Sequence, residues 1–267
     1  MRGAPGVTRT TTAIRVIKVG GRPQLDPALP AALAAAHRVA PGSLVVVHGG
    51  GDEVSTLQKL YGVVARFSGG RRVTSALDLE IIRMALSGSA NKRLVSALND
   101  ASVAAVGLSG EDAGLLLATP ADPAHFGFVG TPSRVNVVLL RLLLDGGYLP
   151  VLSPVSRSAE PSVGATLNVN GDDAASAIAV ALAAEELLLV SDVEGVRVDG
   201  VAVARLDPDE ARQLVDDGTA AGGMAAKLQA ALAALEGGVA RVRISDIAAI
   251  GQLDRGTVLT RVGSVCA

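Results

Sequence analysis

Apolar and polar residues alternate along this chain in two recurring patterns. Short runs rich in Val, Leu and Ile predict buried strands, and the stretches between them place apolar residues at helical spacing. Strands are predicted at Ile14–Val19, Leu44–Val47, Val103–Leu108, Leu149–Leu152, Glu186–Val190, Arg241–Ile244 and Gly256–Leu259. Helices are predicted at Pro27–Val39, Asp52–Tyr61, Ala76–Leu86, Asn91–Leu98, Val135–Leu144, Ala174–Ala184, Pro208–Asp216 and Gly222–Leu235. The segment Phe67–Thr74 is predicted to form a hairpin.

The regular alternation of strands and helices indicates an α/β fold. It predicts a mainly parallel central sheet with helices on both of its faces. No internal repeat or low-complexity linker interrupts the chain of 267 residues. We therefore expect one domain whose two lobes share a sheet, rather than two tethered domains.

Polar residues and glycines recur where the predicted strands end. Lys18 lies at the end of the first strand, just before a glycine pair, and His48–Gly51 follows the second strand. Asp112 and Asp192 lie beyond later strands. Because ligands of parallel sheets bind at the carboxyl ends of the strands, we expect the functional site there. The glycines allow backbone N–H groups to approach an anion, although neither a P-loop nor a dinucleotide-binding fingerprint is present.

Composition excludes several classes of function. Lys and Arg number 24 and Asp and Glu number 26, so the net charge of -2 gives neither the basic field of a nucleic-acid binder nor a polybasic membrane patch. The one cysteine, Cys266, excludes a disulfide framework and a multi-cysteine metal site. The apolar runs are too short to cross a bilayer, and residues 1–12 lack the apolar core of a secretion signal. We expect a cytoplasmic protein with a disordered start and no nucleic-acid or membrane partner.

The densest polar stretch lies before the predicted helix at 174–184. Asn168, Asn170, Asp172 and Asp173 occur there together. A helix start uses one Asn or Asp side chain as a cap, which accounts for one of these residues but not for all four. Asp173 is interpreted as a carboxylate whose negative charge stabilises the N-terminus of the helix. The role of Asn170 stays open.

Two lysines beside glycine pairs, Lys18 and Lys227, point to phosphoryl transfer. That reaction needs positive charge on the transferring oxygens and in-line positioning. A lysine on each side and glycine amides at helix starts would supply both. Asp172, placed between the two ammonium groups, would hold them in position. No convincing general base is visible, and none is needed if the acceptor is a carboxylate, which is ionised at neutral pH.

The predicted hairpin carries two arginines near its tip, Arg71 and Arg72. Arginine suits the bidentate recognition of a carboxylate. Arg72 lies nearer the strand and is the better candidate for such a role. Arg71 is explained equally well as a solvated surface residue.

Seven short motifs occur in the order seen in the amino acid kinase family, which the chain resembles from Val16 to about Val258. The motifs agree in order and spacing, and no single one would suffice. They are Lys18-Val19-Gly20-Gly21, His48-Gly49-Gly50-Gly51, Gly70-Arg71-Arg72-Val73-Thr74, Asn91-Lys92-Arg93-Leu94-Val95, Val106-Gly107-Leu108-Ser109-Gly110, Asn168-Val169-Asn170-Gly171-Asp172 and Gly222-Gly223-Met224-Ala225-Ala226-Lys227. Within the family, the chain is most similar to members that use ATP to phosphorylate the γ-carboxylate of N-acetyl-L-glutamate, the second step of arginine biosynthesis.

The resemblance implies an open three-layer αβα sandwich, in which residues 1–183 bind the acylamino acid and residues 184–267 bind the nucleotide. It implies that Lys18 and Lys227 contact the transferring phosphoryl group from opposite sides and that Asp172 organises them. The residues implied to bind the acylamino acid are Gly50, Gly51, Arg72 and Asn168. The residues implied to bind ATP are Gly20, Gly21, Ser191, Asp192, Val193, Gly195, Val196, Gly222, Gly223 and Met224. Mg²⁺ would be held mainly by phosphates and water, so no metal-binding residue is expected.

The chain departs from the family pattern at three motifs. Asp52 replaces a common Pro, Gly171 replaces a common Ala, and His125-Phe126-Gly127 stands where Asp-Leu-Gly is frequent. These departures affect the expected binding of the acceptor substrate more than the expected transfer of the phosphoryl group. Members inhibited by arginine carry an N-terminal helix that links dimers into a hexamer. Because the segment before Val16 has no amphipathic stripe, we expect a homodimer without arginine feedback.

Two other functions stay open. A related kinase for glutamate or aminoadipate linked to an amino-group carrier protein would want a basic rim at the acceptor site, which Arg66 and the hairpin arginines could supply. The Asn168-Val169-Asn170 motif favours the free substrate instead. A non-catalytic amino acid sensor on the same fold would be expected to lose Lys18, Asp172 or Lys227, and all three are present.

Overall fold

The computed structural model describes residues 13–68, 71–160 and 166–261. The interpretations of residues 1–12, of Cys266 and of Gly70 at the hairpin tip lie outside the described residues. Within those residues, every helix is too short or too polar to span a membrane.

The strands and helices follow one another along the chain in the alternation that the sequence predicts. The strands are β1 (Arg15–Val19), β2 (Leu44–His48), β3 (Arg66–Ser68), β4 (Arg71–Val73), β5 (Ala105–Gly110), β6 (Leu116–Pro120), β7 (Val129–Val135), β8 (Leu149–Ser158), β9 (Thr166–Val169), β10 (Glu186–Val190), β11 (Arg197–Val198), β12 (Val201–Ala202), β13 (Arg205–Leu206), β14 (Arg241–Ser245) and β15 (Thr257–Thr260). The helices are α1 (Ala28–Val39), α2 (Gly51–Leu60), α3 (Ala76–Ile82), α4 (Asn91–Asp100), α5 (Pro123–Phe126), α6 (Val137–Asp145), α7 (Gly171–Ala181), α8 (Pro208–Asp216) and α9 (Gly222–Glu236).

One large sheet forms the middle layer. Its strand order is β13-β15-β14-β10-β1-β2-β8-β6-β7-β9, with β5 paired to β8. The central pairs β14–β10, β10–β1, β1–β2 and β2–β8 are all parallel, and antiparallel pairs occur only toward the two ends of the described sheet. The carboxyl ends of the central strands therefore meet along one edge.

Alternating side chains divide the central strands between two apolar cores. Val16 of β1 packs into the core beneath α7 and α9, whereas Ile17 and Val19 pack into the core beneath α1 and α4. Because successive strand residues point to opposite faces, Lys18 lies on the same face as Val16. The register of β1 thus directs the Lys18 side chain toward α7. Helices on both faces confirm the predicted three-layer αβα fold.

The largest difference from the sequence prediction follows Asp112. No strand was predicted between Leu108 and Leu149, but this stretch contains β6 and β7, which pair antiparallel. Only the first two residues of β7 are buried, so its sequence shows little alternation of apolar and polar residues. The strand is held mainly by backbone hydrogen bonds to its neighbours. As a result, the helix expected from Val135 begins at Val137.

A second difference concerns the predicted helices at 76–86 and 91–98. They join into one continuous helical segment, because a π-helical stretch, Arg83–Ala90, connects α3 to α4. The intervening Ser87-Gly88-Ser89 looked like a break in the sequence. Insertions of this kind in helices are frequent next to functional sites.

A buried ion cluster fixes the amino ends of the central strands, away from the expected functional edge. Glu186 of β10 accepts hydrogen bonds from Arg243 of β14 at 2.6 Å and from Arg15 of β1 at 2.8 Å, and it forms an ion pair with Arg241 at 3.0 Å. Arg243 is fully buried and also donates to three backbone carbonyls. These contacts hold β1, β10 and β14 in register.

Candidate active site

Two of the cavities at the carboxyl ends of the central strands meet at Lys18. The first, of about 230 Å³, lies beside α2, the β3–β4 hairpin and the start of α7, and is called the acceptor cavity after the ligand that the family resemblance implies. The second, of about 380 Å³, lies beside β1, the end of β10 and the start of α9, and is called the nucleotide cavity for the same reason. Lys18, Gly21 and Gly51 line both cavities. Lys18 is therefore the charged side chain that both cavities share.

Asp172 lies between two lysine ammonium groups at this junction. Lys18 Nζ is 2.8 Å from Asp172 Oδ1, and Lys227 Nζ is 3.2 Å from Asp172 Oδ2. The three residues are almost buried, with 6, 5 and 8% of the surface of Lys18, Asp172 and Lys227 exposed. The lysines come from β1 and α9, and the carboxylate comes from α7. The structure brings together the three residues that the sequence singled out.

Burial and charge act against each other on this triad. Burial alone would raise the pKa of Asp172, but the ammonium groups of Lys18 and Lys227 outweigh it and hold the pKa below its ordinary value. Burial, and then the charge of Lys18, lower the pKa of Lys227, while Asp172 opposes that change. Two lysines face one carboxylate at the junction, so the formal charges sum to a net positive charge that suits an anion.

Helix starts add to the positive potential. α2 begins at Gly51, α7 at Gly171 and α9 at Gly222. A helix N-terminus presents unpaired N–H groups and a partial positive charge. Gly171 has a further effect, because a Cβ at this position would lie 3.2 Å from Lys18 Cε. The glycine therefore leaves the Lys18 side chain free of a tight contact.

Arg72 extends from β4 into the acceptor cavity in a fixed orientation. Its Nη1 donates to Gln58 Oε1, and its Nη2 donates to the Gly51 carbonyl at 3.2 Å and to Ser55 Oγ at 3.0 Å. Gln58 is almost fully buried in α2 and was not singled out in the sequence. These contacts orient the guanidinium before any ligand arrives.

The two asparagines before α7 have different contacts. Asn168 lines the acceptor cavity and donates to Thr74 Oγ1 at 3.0 Å. Asn170 is the N-cap of α7, because its Oδ1 accepts from the Asp172 N–H at 2.7 Å. Asn170 therefore fixes the start of the helix that carries Asp172.

Asp173 has a partner beyond the helix start. It lies in the first turn of α7, as expected, and its Oδ2 is 3.2 Å from Arg71 Nη2. Burial raises the pKa of Asp173, and Arg71 opposes that rise. Arg71 is thus half-buried and paired at the rim of the acceptor cavity, rather than free in solvent.

Most residues expected at the nucleotide lie in the second cavity. Those that line it, together with Lys18 and Lys227, are Gly20, Gly21, Ser191, Asp192, Val193, Gly223 and Met224. Gly195, Val196 and Gly222 do not line it. The Val196 N–H donates to Thr257 Oγ1 at 2.8 Å, and a Cβ at Gly195 would lie 2.6 Å from the same oxygen. Gly195 and Val196 therefore pack the loop after β10 against β15.

Arg22 was not predicted from the sequence, although it directly follows the first glycine pair. It lines the nucleotide cavity, and its Nη1 donates to Asp192 Oδ2 at 2.9 Å across the cleft. In the described ranges, no group of three or more His, Cys, Asp or Glu side chains is placed to hold a metal ion.

The fold and the lysine–aspartate junction define a class of protein. A sequence model of the amino acid kinase family matches residues 13–246, and the chain belongs to that family. The acetylglutamate kinase of Chloroflexus aurantiacus is 44% identical over 251 residues, which cover 93% of this chain and 97% of that enzyme. The acetylglutamate kinase of Paracoccus denitrificans is 46% identical over 203 residues, which cover 76% of this chain and 66% of that enzyme.

A solved structure supports the same assignment of fold. The crystal structure of smu.665 from Streptococcus mutans UA159 aligns with a TM-score of 0.84 at 30% identity. The alignment covers 92% of this chain and 98% of that one. The sheet and the helices on both of its faces are therefore shared over almost the whole length.

Replacing Asp172 by Asn tests the charge balance of the triad. The substitution leaves two buried ammonium groups without their anion, so we expect the free energy of unfolding to fall by about 3 kcal/mol at neutral pH. Because the pKa of Asp172 is lowered in the folded state, its stabilisation is present above the unfolded pKa of about 3.9 and is lost as the pH falls through the folded value. The difference from wild type should shrink below about pH 4.

Urea unfolding of both proteins across this pH range measures the effect. Asp209→Asn is the control, since Asp209 lies on the exposed face of α8 and should change stability little at any pH. A variant Asp172→Asn as stable as wild type at neutral pH would show that the lysines do not depend on this carboxylate.

Proposed function

We infer that this chain is an acetylglutamate kinase. It transfers the γ-phosphoryl group of ATP to the γ-carboxylate of N-acetyl-L-glutamate, which gives N-acetylglutamyl phosphate for arginine biosynthesis. The observation that carries the inference is the junction of two cavities at Lys18, Asp172 and Lys227. The acetylglutamate kinases that match at 44 and 46% identity support the choice of substrate.

The chemistry of the junction suits a carboxylate acceptor. An alcohol acceptor would require a general base, whereas a carboxylate is ionised at neutral pH and can attack directly. The carboxylate at the junction, Asp172, is already paired with both lysines and is poorly placed to take a proton. His48 is fully buried beneath the glycine turn and does not line the acceptor cavity. The site therefore lacks a suitable base and has no need of one.

The two lysines would stabilise the phosphoryl group in transit. As a carboxylate oxygen attacks the γ-phosphorus and the bond to the β-phosphate breaks, negative charge spreads over the equatorial oxygens. Lys18 approaches from β1 and Lys227 from α9, so their ammonium groups reach those oxygens from different directions. Asp172 holds both groups in place between turnovers. Mg²⁺ bound with ATP supplies further neutralisation of phosphate charge.

The remaining residues have binding roles in this proposal. Arg72 and Asn168 hold the α-carboxylate and the acetamido end of the substrate, and the amides of Gly50 and Gly51 receive the reacting carboxylate. The cavity of about 230 Å³ is small compared with the roughly 300–1,000 Å³ typical of drug-sized ligands, which suits a small acyl amino acid. ATP lies in the second cavity along Gly20, Gly21, Ser191 and Gly223. We propose that residues 1–183 form the acceptor lobe, whose Gly20 and Gly21 also border ATP, and that residues 184–267 form the nucleotide lobe.

A carrier-linked substrate is less well supported. An acidic carrier protein would need free positive charge at the mouth of the acceptor cavity. Arg71 is paired with Asp173, and Arg72 is turned inward onto Gln58 and Ser55. Of the three arginines considered from the sequence, only Arg66 is exposed. The retention of the complete triad likewise disfavours a non-catalytic sensor.

We also propose that the enzyme is a cytoplasmic homodimer. Its phosphoryl donor, ATP, is a cytoplasmic metabolite. Exposed apolar side chains at the end of α2 and beyond, among them Leu60, Tyr61 and Val64, offer an apolar surface that a second copy would cover.

A two-acceptor assay tests the function. The purified protein is incubated with ATP and Mg²⁺, and the acyl phosphate is trapped as a hydroxamate with either free N-acetyl-L-glutamate or a carrier-linked glutamate. We expect ADP and hydroxamate to form in equal amounts with free N-acetyl-L-glutamate. Turnover of the carrier-linked substrate alone would overturn the proposal, and no turnover with either would favour the sensor.

Replacing Arg72 by Lys tests its role at the acceptor. Lysine is a point charge that cannot bind a carboxylate with two parallel hydrogen bonds, so the KM for N-acetyl-L-glutamate should rise about tenfold while the KM for ATP stays constant. Arg66→Lys is the control, because Arg66 lies in the same hairpin but is exposed. If the acetylglutamate KM of Arg72→Lys matches that of the control, Arg72 does not bind the substrate.

A further inference from the structure

His48 is a buried titratable group that the proposed mechanism does not use. It is the last residue of β2, directly before the glycine turn of the acceptor cavity, and it is fully buried. Its ring makes two hydrogen bonds. Nδ1 lies 2.9 Å from the Gly49 carbonyl oxygen, and Nε2 lies 3.0 Å from Asn91 Nδ2.

The contacts of Asn91 determine which way its amide points. Asn91 is fully buried at the start of α4, and its Nδ2 also faces two carbonyls, that of Val151 at 3.0 Å and that of Leu108 at the longer distance of 3.4 Å. A carbonyl oxygen can only accept, so the nitrogen must face this side. The arrangement leaves Asn91 Oδ1 without a hydrogen-bond partner among the described residues. A Cβ at Gly107 would collide with that oxygen, so the glycine makes room for the amide.

The amide of Asn91 in turn determines the tautomer of His48. Because Asn91 Nδ2 is a donor, Nε2 of the imidazole must accept and carries no proton. The Gly49 carbonyl can only accept, so Nδ1 must carry the proton. Burial lowers the pKa of His48 to about 4, although the Gly49 carbonyl raises it, and the ring is neutral at pH 7. Of the charged groups near the ring, Glu53 of α2 raises the pKa of His48, whereas Arg93 of α4 and Lys18 of β1 lower it.

The bond to the Gly49 carbonyl orients the next peptide group. In a planar trans peptide, the N–H of Gly50 points away from the carbonyl of Gly49. Because the Gly49 carbonyl faces the buried imidazole, the N–H of Gly50 points away from the ring, and Gly49, Gly50 and Gly51 all line the acceptor cavity. Gly50 has a φ of 143°, and a Cβ there would lie 2.7 Å from Leu86 Cδ2, so its conformation requires glycine.

We propose that His48 and Asn91 are positioning residues for the acceptor carboxylate. Asn91 fixes the Nδ1–H tautomer of His48, and His48 fixes the peptide whose N–H receives the reacting carboxylate. The inference rests on the proposed acetylglutamate kinase function, since it assigns the ligand of that N–H group. It adds two buried residues that do not themselves contact the substrate.

Two variants of His48 separate its two hydrogen bonds. The side-chain nitrogen of Asn can replace Nδ1, so His48→Asn keeps a donor to the Gly49 carbonyl. The side-chain amide of Gln reaches the position of Nε2 instead, so His48→Gln keeps the contact to Asn91 and loses that donor. His37→Gln is the control, because His37 is another buried histidine with a lowered pKa, and its partner, the backbone of Gly147, lies outside the acceptor cavity.

Steady-state kinetics with free N-acetyl-L-glutamate provide the test. Removing a preorganised hydrogen-bond donor lowers kcat by roughly 100-fold or more in enzymes that use one. In His48→Gln the Gly50 N–H is misoriented rather than removed, so we expect kcat/KM for acetylglutamate to fall by at least about tenfold. The KM for ATP should stay constant, His48→Asn should recover most of the loss, and His37→Gln should resemble wild type. Equal defects in His48→Asn and His48→Gln, or wild-type kinetics in His48→Gln, would overturn the inference.

A second measurement requires no variant and no turnover. The ¹⁵N chemical shifts of His48 in the wild-type protein at neutral pH report which ring nitrogen is protonated. We expect a protonated Nδ1 and an unprotonated Nε2, and the opposite tautomer would refute the inference even if a variant failed to fold. Absence of wild-type turnover, by contrast, would refute the proposed function and leave the tautomer result standing.

Discussion

The structure depends on one carboxylate that is shared by two buried lysines. Burying an ammonium group without a partner costs several kcal/mol, so Lys18 and Lys227 can occupy the interior together only because Asp172 lies between them. The arrangement keeps a net positive charge where the two cavities meet. In the proposed reaction, an incoming phosphoryl group would find its counter-charges already in place, which is the condition for electrostatic stabilisation of a transition state.

The rest of the fold serves to place these three groups. Because side chains alternate along β1, Lys18 points to the face of the sheet that α7 covers. Val16 points to the same face and packs in the core there. Asn170 caps α7 and thereby fixes the position of Asp172. At the other end of the strands, Glu186 and its arginines hold β1, β10 and β14 in register. Small shifts of any of these elements would separate the lysines from their carboxylate.

The sequence predicted the layers and the triad because both leave strong local signals. Short apolar runs, which predict strands, alternate with segments whose apolar residues have helical spacing. The lysines of the triad stand out because each lies beside a glycine pair. The β6–β7 pair was missed because β7 buries little and carries no apolar period. The orientation of Arg72 by Gln58, and of the glycine turn by His48 and Asn91, depends on contacts between residues far apart in the chain. No local pattern reports such contacts.

The most direct test of the central claim is the kinetic effect of Lys227→Ala. If Lys227 stabilises the phosphoryl group in transit, kcat should fall by roughly 100-fold or more, while the KM values for acetylglutamate and ATP change little. If instead kcat is retained and only a KM rises, Lys227 is a binding residue. The lysine–aspartate–lysine junction would then not be the centre of the reaction.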